Sequence, residues 1–341
     1  MNGYGIIAPN TFGKITGAPE PICEPMDAIA EAVAWATCTS DPHQVHAGLP
    51  AGLILGHEVV ARLVKVGSMV KDFKVGDIVC VGAVTPDWTW PNCQDNIHQD
   101  ANGAAQGMNW CVTENGTFAE RFRIRQVDCN ATYEHALMAS DMVTTGFHGV
   151  EMAHVTWGDT VVVMGIGPVG LMSVAGSALR GAGRIIAIGR RPITLELAKE
   201  YGATDVLNYM DGPIDEQVLE LTGGVAPDCC ITTGGTNDTF ARCLKMVKPN
   251  GIVSNLQAQT FDTEIPGMYT LYWQSHKQVN GGLCPGGRKR MQRLLSIMEA
   301  GRLDPTKLIT HRFHGMEHIM DAYNMMDVKP DDMVKPVIYN D

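Results

Sequence analysis

Two short segments near the start of the chain carry side chains that could hold a metal: Cys38-Thr39-Ser40-Asp41-Pro42-His43 and Gly56-His57-Glu58. A thiolate, an imidazole and a carboxylate are donors of the kind a catalytic zinc uses, with one position left open for substrate. Each residue alone also has a plainer reading, Cys38 as a core thiol and His57 as a satisfied buried histidine. The glycine before the His–Glu pair and the hydroxyls that follow Cys38 favour metal chemistry. Asp141 stands in largely uncharged sequence, Ala139-Ser140-Asp141-Met142. Residue type alone nominates it as a third donor without deciding the matter.

A second chemical signature lies further on. The β-branched run from Thr160 to Met164 feeds Gly165-Ile166-Gly167-Pro168-Val169-Gly170, and an apolar, small-residue helix leaves it. In that context the glycines permit a tight turn and a close backbone approach, so a pyrophosphate can rest on the helix N-terminus. An NAD site places Asp or Glu at the end of the next strand to bind the ribose 2′-hydroxyl. Here that strand ends in Gly189-Arg190-Arg191. Guanidinium groups cannot accept from a hydroxyl, but they clamp a phosphate well. The reading is therefore NADP, with Tyr209 placed to flank the adenine.

These residues need a scaffold, and 341 residues suffice for two domains with real cores. Up to about residue 140 the chain is turn-rich, with strands expected over 59–66 and 77–84 and a long polar loop over 86–116. From residue 159 the pattern alternates strand and helix. Strands are expected over 160–164, 184–188, 204–208, 228–232 and 252–256, with helices over 171–179, 193–201 and 239–247. That alternation implies a doubly wound parallel sheet. Beyond residue 288 one helix, 290–299, and a strand-like end, 334–339, are expected.

Composition narrows the function classes. With 26 Lys and Arg against 37 Asp and Glu the net charge is −11, which argues against a nucleic-acid or membrane-surface binder. No run is long and apolar enough for a transmembrane helix, and no signal peptide is evident, so a cytoplasmic enzyme is expected. Ten cysteines without a single CxxC pair read as reduced, mostly buried thiols rather than a four-cysteine zinc knot.

Taken in order, Cys38-Thr39-Ser40-Asp41-x-His43, Gly56-His57-Glu58, Thr85-Pro86-Asp87-Trp88, the run from Ser140 to Gly149, Gly165 to Gly170 and the run from Gly281 to Arg288 form one series. It closely resembles the zinc-dependent medium-chain alcohol dehydrogenases, in their NADP-dependent secondary-alcohol branch. The resemblance implies α/β architecture, with a GroES-like, β-rich catalytic domain over 1–144 and 284–341 and a Rossmann NADP-binding domain over 145–283. It implies one catalytic zinc per subunit, held by Cys38, His57 and Asp141, with Glu58 as a fourth, exchangeable ligand. Ser40 and His43 would carry the proton from alcohol to solvent, with Thr39 in the same catalytic group. Thr145 would lie near the nicotinamide, Lys329 would add a cofactor contact, and Gly189, Arg190, Arg191 and Tyr209 fall where this branch binds the 2′-phosphate and adenine. The branch is typically a homotetramer.

The chain departs from the branch at several points. Ala61 replaces a glycine, and Arg190 replaces the usual serine of the phosphate clamp. A short deletion lies between Val127 and Met138. Met108 stands where a tryptophan borders the substrate pocket, and residues 255–264 match poorly. The lobe offers only Cys93, His98 and Cys111 toward the structural zinc of the wider superfamily. The activity expected is reversible oxidation of a small secondary alcohol, of the 2-propanol or 2-butanol type, to its ketone. The alternatives are a polyol or amino-alcohol dehydrogenase, a zinc-free quinone reductase, or a vestigial NADP-binding protein.

Overall fold

The computed structural model describes residues 1–88, 91–94, 110–127, 129–131, 134–257 and 274–340. The chain divides into two compact units, Met1–Thr144 with Cys284–Asp341, and Thr145–Leu283.

The first unit is built on a seven-stranded sheet. Its order is Ile309–His314, Lys335–Tyr339, Ala28–Ala36, Glu58–Val66, Ile78–Val81 and Cys129–Ala131, with Phe122–Ile124 also pairing Ala28–Ala36. Its core gathers Trp35, Ile54, Leu55, Leu63, Phe118 and Phe122, all close to fully buried. The register matters most for function. Ala36 pairs with Glu58 on one side and with Val337 on the other, both antiparallel. Cys38 just past one strand, His57-Glu58 at the start of the next and Lys335 at the start of a third are thereby delivered to one end of the sheet.

The second unit is a six-stranded sheet, parallel throughout. The strands Thr160–Met164, Arg184–Gly189, Asp205–Asn208, Cys229–Thr232, Ile252–Asn255 and Gln278–Gly281 lie in the spatial order 3-2-1-4-5-6. This is the dinucleotide-binding arrangement, whose crevice opens where the order reverses beside the first strand. Val162, Ile186, Ile188, Cys230 and Val253 fill its core and are essentially inaccessible to solvent, as buried parallel strands require.

The alternation expected from the sequence is present with small shifts at element ends: helices run Pro168–Leu179, Pro192–Glu200 and Asn237–Met246. Several elements depart from it, among them the unexpected helix Ile214–Leu221 and sixth strand Gln278–Gly281 of the second unit. The strand expected over 77–84 closes at Val81, and the chain then leaves the sheet. The tail carries two helices rather than one: Arg288–Glu299 is joined by Ile319–Val328, which buries Ile319, Ala322, Tyr323 and Met326 on one stripe. A further helix, Met142–Met152, begins directly after Asp141. The described cysteines are all free thiols.

Candidate metal centre and dinucleotide site

The end of the first unit's sheet gathers Cys38, His57, Glu58 and Asp141, each offering one ligand atom within 4.8 Å of the others. His57 Nε2 is 3.7 Å from Asp141 Oδ2 and 3.9 Å from Glu58 Oε1. Cys38 Sγ is 3.7 Å from Asp141 Oδ2. Zinc bonds of about 2.0–2.3 Å set tetrahedral edges of roughly 3.3–3.8 Å, so the Asp141 pairs with His57 and Cys38 stand at that spacing and the whole group close to it. The donor set, one soft sulfur, one imidazole and two carboxylates, suits the same ion.

Burial shapes the chemistry of these groups. It pushes the Cys38 thiol up, with Glu58 adding to the effect while Lys335 and His57 oppose it. It also raises Glu58 to about 7, against the pull of Lys335. For His57 burial works against the charged ring, yet hydrogen bonds to Asp141, Cys111 and Cys38 outweigh it and raise the imidazole well above its ordinary value. The metal-free cluster therefore retains protons that a dication would displace.

Two residues that sequence reasoning passed over organise this group. Asp41 is fully buried; its Oδ2 accepts from the Cys38 backbone N–H at 2.8 Å, and its Oδ1 faces His57 Nδ1 at 3.7 Å. A carboxylate behind a ligating histidine orients the ring and selects its tautomer. Lys335 donates from Nζ to Glu58 Oε1 at 2.7 Å, with both side chains buried. Its signal in the sequence was a lysine inside the apolar run Val334–Tyr339.

Ser40 Oγ lies 3.4 Å from His57 Nε2, at the metal-facing side of the ring. Thr39 caps the helix Ser40–His46 by position, without a side-chain cap bond. His43, one turn along that helix, is exposed, and partial burial with Lys329 and His46 nearby lowers its basicity. Lys329 adopts a left-handed conformation, φ 55°, just past the helix Ile319–Val328. Beside Ser140, the neighbour of Asp141, a small apolar hollow is walled by Ala83, Val84, Cys284, Met291 and Leu294. Arg290 pins one side of it, donating to Thr144 Oγ1 at 2.6 Å and to its carbonyl at 2.9 Å. His98, Met108 and residues 258–264 lie outside the described residues.

In the second unit the glycine motif makes the turn its chemistry requires. Gly165 has φ +88°, and a Cβ there would meet Gly234 N at 2.7 Å. A Cβ on Gly170 would stand 1.9 Å from the Gly165 carbonyl oxygen. Thr233 Oγ1 donates to that same carbonyl and fastens the turn to the neighbouring strand's end. Gly167 is the N-cap of Pro168–Leu179, with Pro168 at the first helical position and Ile166 buried beneath. Val169 is half-buried in the first turn. Backbone N–H groups at this terminus form an anion cradle.

At the end of the next strand Gly189 pairs in register with Asn208, so exposed Arg190, half-buried Arg191 and exposed Tyr209 follow from adjacent strand ends. Asp205 is held by Arg184 at the opposite ends of those strands, at 2.8 Å. The strand end itself carries Gly189 where an NAD site has its acid. Thr145 is half-buried in the helix Met142–Met152. A network that sequence reasoning missed closes the other side of the crevice: Thr232 Oγ1 donates to Asn255 Oδ1 at 2.6 Å, and Gln257 Nε2 to the Gly235 carbonyl at 2.5 Å.

Comparison with known proteins follows this geometry. Residues 24–132 match the alcohol dehydrogenase GroES-like domain family, and residues 168–300 match the zinc-binding dehydrogenase family. The chain is 45 % identical over 351 residues to the NADP-dependent isopropanol dehydrogenase of Thermoanaerobacter brockii, covering 99 % of each. It is 46 % identical over 350 residues to the enzyme of the same name from Entamoeba histolytica, covering 99 % of this chain and 95 % of that one. Among solved structures, alcohol dehydrogenase TADH from Thermus sp. ATN1 superposes with a TM-score of 0.87 at 24 % identity, over the whole of both chains, and shares the fold.

Proposed function

The chain belongs to the zinc-binding alcohol dehydrogenases, and from that premise we propose how its own residues divide the work of an NADP-dependent secondary-alcohol dehydrogenase. The reaction is the reversible transfer of hydride between a small secondary alcohol and NADP, with the ketone as the other product. The four-donor group at the end of the first unit's sheet carries the reading of the site.

Cys38, His57 and Asp141 would hold zinc, with Glu58 able to take the fourth position. When bound, zinc supplies Lewis acidity that lowers the pKa of the alcohol hydroxyl. Asp41 Oδ1 stands behind the His57 ring, 3.7 Å from Nδ1, as a charge rather than a hydrogen-bond partner. Ser40, beside His57 Nε2, would take the alcohol proton and pass it toward His43, whose lowered basicity suits it to release that proton to solvent. The apolar hollow beside Ser140 would take the alkyl arms. On the cofactor side, the Gly165–Gly170 turn would seat the pyrophosphate and Arg190 and Arg191 the 2′-phosphate, with Tyr209 against the adenine. Thr145 and Lys329 would complete the cofactor contacts. No helix of the described residues is long and apolar enough to cross a membrane. On the family resemblance the enzyme is proposed to act as a cytoplasmic homotetramer with one zinc per subunit.

A coupled spectrophotometric panel tests this directly. Oxidation of 2-propanol and 2-butanol with NADP⁺ should exceed that of primary alcohols and that with NAD⁺. Absence of NADP-dependent turnover across small alcohols and ketones would sink the proposal.

A further inference from the structure

Glu58 is half satisfied. Its Oε1 accepts from Lys335 Nζ at 2.7 Å, while its Oε2 is buried and has no hydrogen-bond partner. Lys335 is 1 % exposed and Glu58 fully buried, so neither is helped by water. A buried ion pair is a weak source of stability compared with apolar packing, and an orphaned carboxylate oxygen adds a cost. Oε1, the oxygen Lys335 holds, is also the one 3.9 Å from His57 Nε2, so the lysine sits on the carboxylate of one of the four clustered donors. Cys38, Asp41, Glu58 and Asp141 together exceed the charge of a dication when ionised, and Lys335 is the buried cation that meets the excess at Glu58.

Resting on the zinc reading above, we propose that Lys335 is a positioning residue that competes with the metal for Glu58, drawing on the carboxylate so that it reaches the metal only when nothing else fills the fourth position. Lys335 thereby sets how readily Glu58 gives way to substrate. It is placed for this by the antiparallel pairing of the C-terminal strand with Ala28–Ala36, which itself pairs the strand that begins at Glu58.

The test is the rate at which a chromogenic chelator strips zinc from the holoenzyme, with near-UV circular dichroism as the check on folding. In Lys335→Met, Glu58 loses its other partner and stays on the metal, so release should slow by about tenfold, the low end of what outer partners of metal ligands control. Lys335→Arg should restore the wild-type rate. In Lys335→Met/Glu58→Gln the slowing should vanish, matching Glu58→Gln alone. In the cobalt-substituted protein, Lys335→Met should hold one visible spectrum with and without a competing anion, where the wild type shifts. A lysine that merely supports the fold predicts the reverse: faster release in Lys335→Met and no reversal by Glu58→Gln. Either result overturns the proposal. Should Lys335→Met fail to fold, the double variant, which leaves no buried charge unpaired, decides: a release rate different from Glu58→Gln alone overturns it. A wild-type protein that takes up no zinc would instead reject the metal site itself.

Discussion

Gly189 stands where NAD-dependent relatives of this sheet carry an acid, so Gly189→Asp is the obvious route to an NAD-preferring enzyme. The structure predicts that this substitution fails alone. Its backbone is not left-handed, so strain is not the obstacle. A Cβ at this position would stand 2.3 Å from Ile166 Cγ1 and 2.6 Å from Ile166 Cδ1, where ordinary contact begins near 3.4 Å. Ile166 is 3 % exposed, and as a β-branched residue it has little freedom at χ1. Overpacking of this kind costs about 2 kcal/mol. At about 2–4 °C per kcal/mol, Tm should fall by roughly 4–8 °C. The new carboxylate would also face the 2′-phosphate, and like charges in contact cost several kcal/mol, about a hundredfold or more in kcat/KM for NADP⁺. Ile166→Ala removes both colliding atoms. Thermal unfolding of wild type, each single variant and the double variant should therefore show a favourable coupling of about 1 kcal/mol or more. Kinetics with both cofactors on the same proteins separate fit from charge. Additive unfolding, or a Gly189→Asp protein that melts at the wild-type temperature, would refute the packing argument.

Three other substitutions test the remaining parts. Arg191→Ala should lower kcat/KM for NADP⁺ by about tenfold to a hundredfold, the worth of a charge-assisted hydrogen bond, while leaving NAD⁺ nearly untouched; an unchanged cofactor preference would reject the clamp. Cys38→Ser and Asp141→Ala should each lose zinc by elemental analysis and lose alcohol oxidation, and retained turnover in either would remove it from the ligand set. Gly170→Ala forces a Cβ to within 1.9 Å of the Gly165 carbonyl oxygen, a backbone atom, so it should unfold more readily by about 2 kcal/mol or more and bind NADP⁺ poorly in calorimetry. Wild-type binding in that variant would mean the glycine turn does not cradle the cofactor.

How much of this could be read from the chain depends on how local the information is. The dinucleotide unit was legible because its strand, glycine turn and helix are consecutive, and because Gly189-Arg190-Arg191 follows the very next strand. The metal group was legible only in part. Cys38 and His57 come together because Ala28–Ala36 and Glu58–Val66 pair as neighbours, a contact that short-range pattern suggests. Asp141 is brought in by the irregular segment before the helix Met142–Met152, and no periodicity points to it. Lys335 is 277 residues from Glu58, so its role appears only once the C-terminal strand is seen beside Ala28–Ala36. The helix Ile319–Val328 escaped notice because its N-cap, His318, makes no side-chain cap bond and its apolar stripe, Ile319, Ala322, Tyr323 and Met326, is short. Asp41 was quoted within a motif, but only its burial and its bond to the Cys38 N–H distinguish it from a surface acid.

The charge of the metal group makes a last argument. Cys38, Asp41, Glu58 and Asp141 place four acidic groups around one histidine and one lysine, most of them buried. Burial raises Cys38, Asp41 and Glu58 alike, Glu58 to about 7. The Cys38 thiol and the Glu58 carboxyl keep protons near neutrality unless a cation replaces them, and each proton kept must leave before a metal can bind. Metal uptake should therefore release protons, and the apparent affinity should climb as pH rises through about 7 and on toward the thiol's range, because fewer protons remain to be displaced. Chelator competition across pH 6 to 9 reads that slope. A flat profile would mean the cluster is already ionised without a metal, and the raised acids would then lose their explanation as a site waiting for a cation.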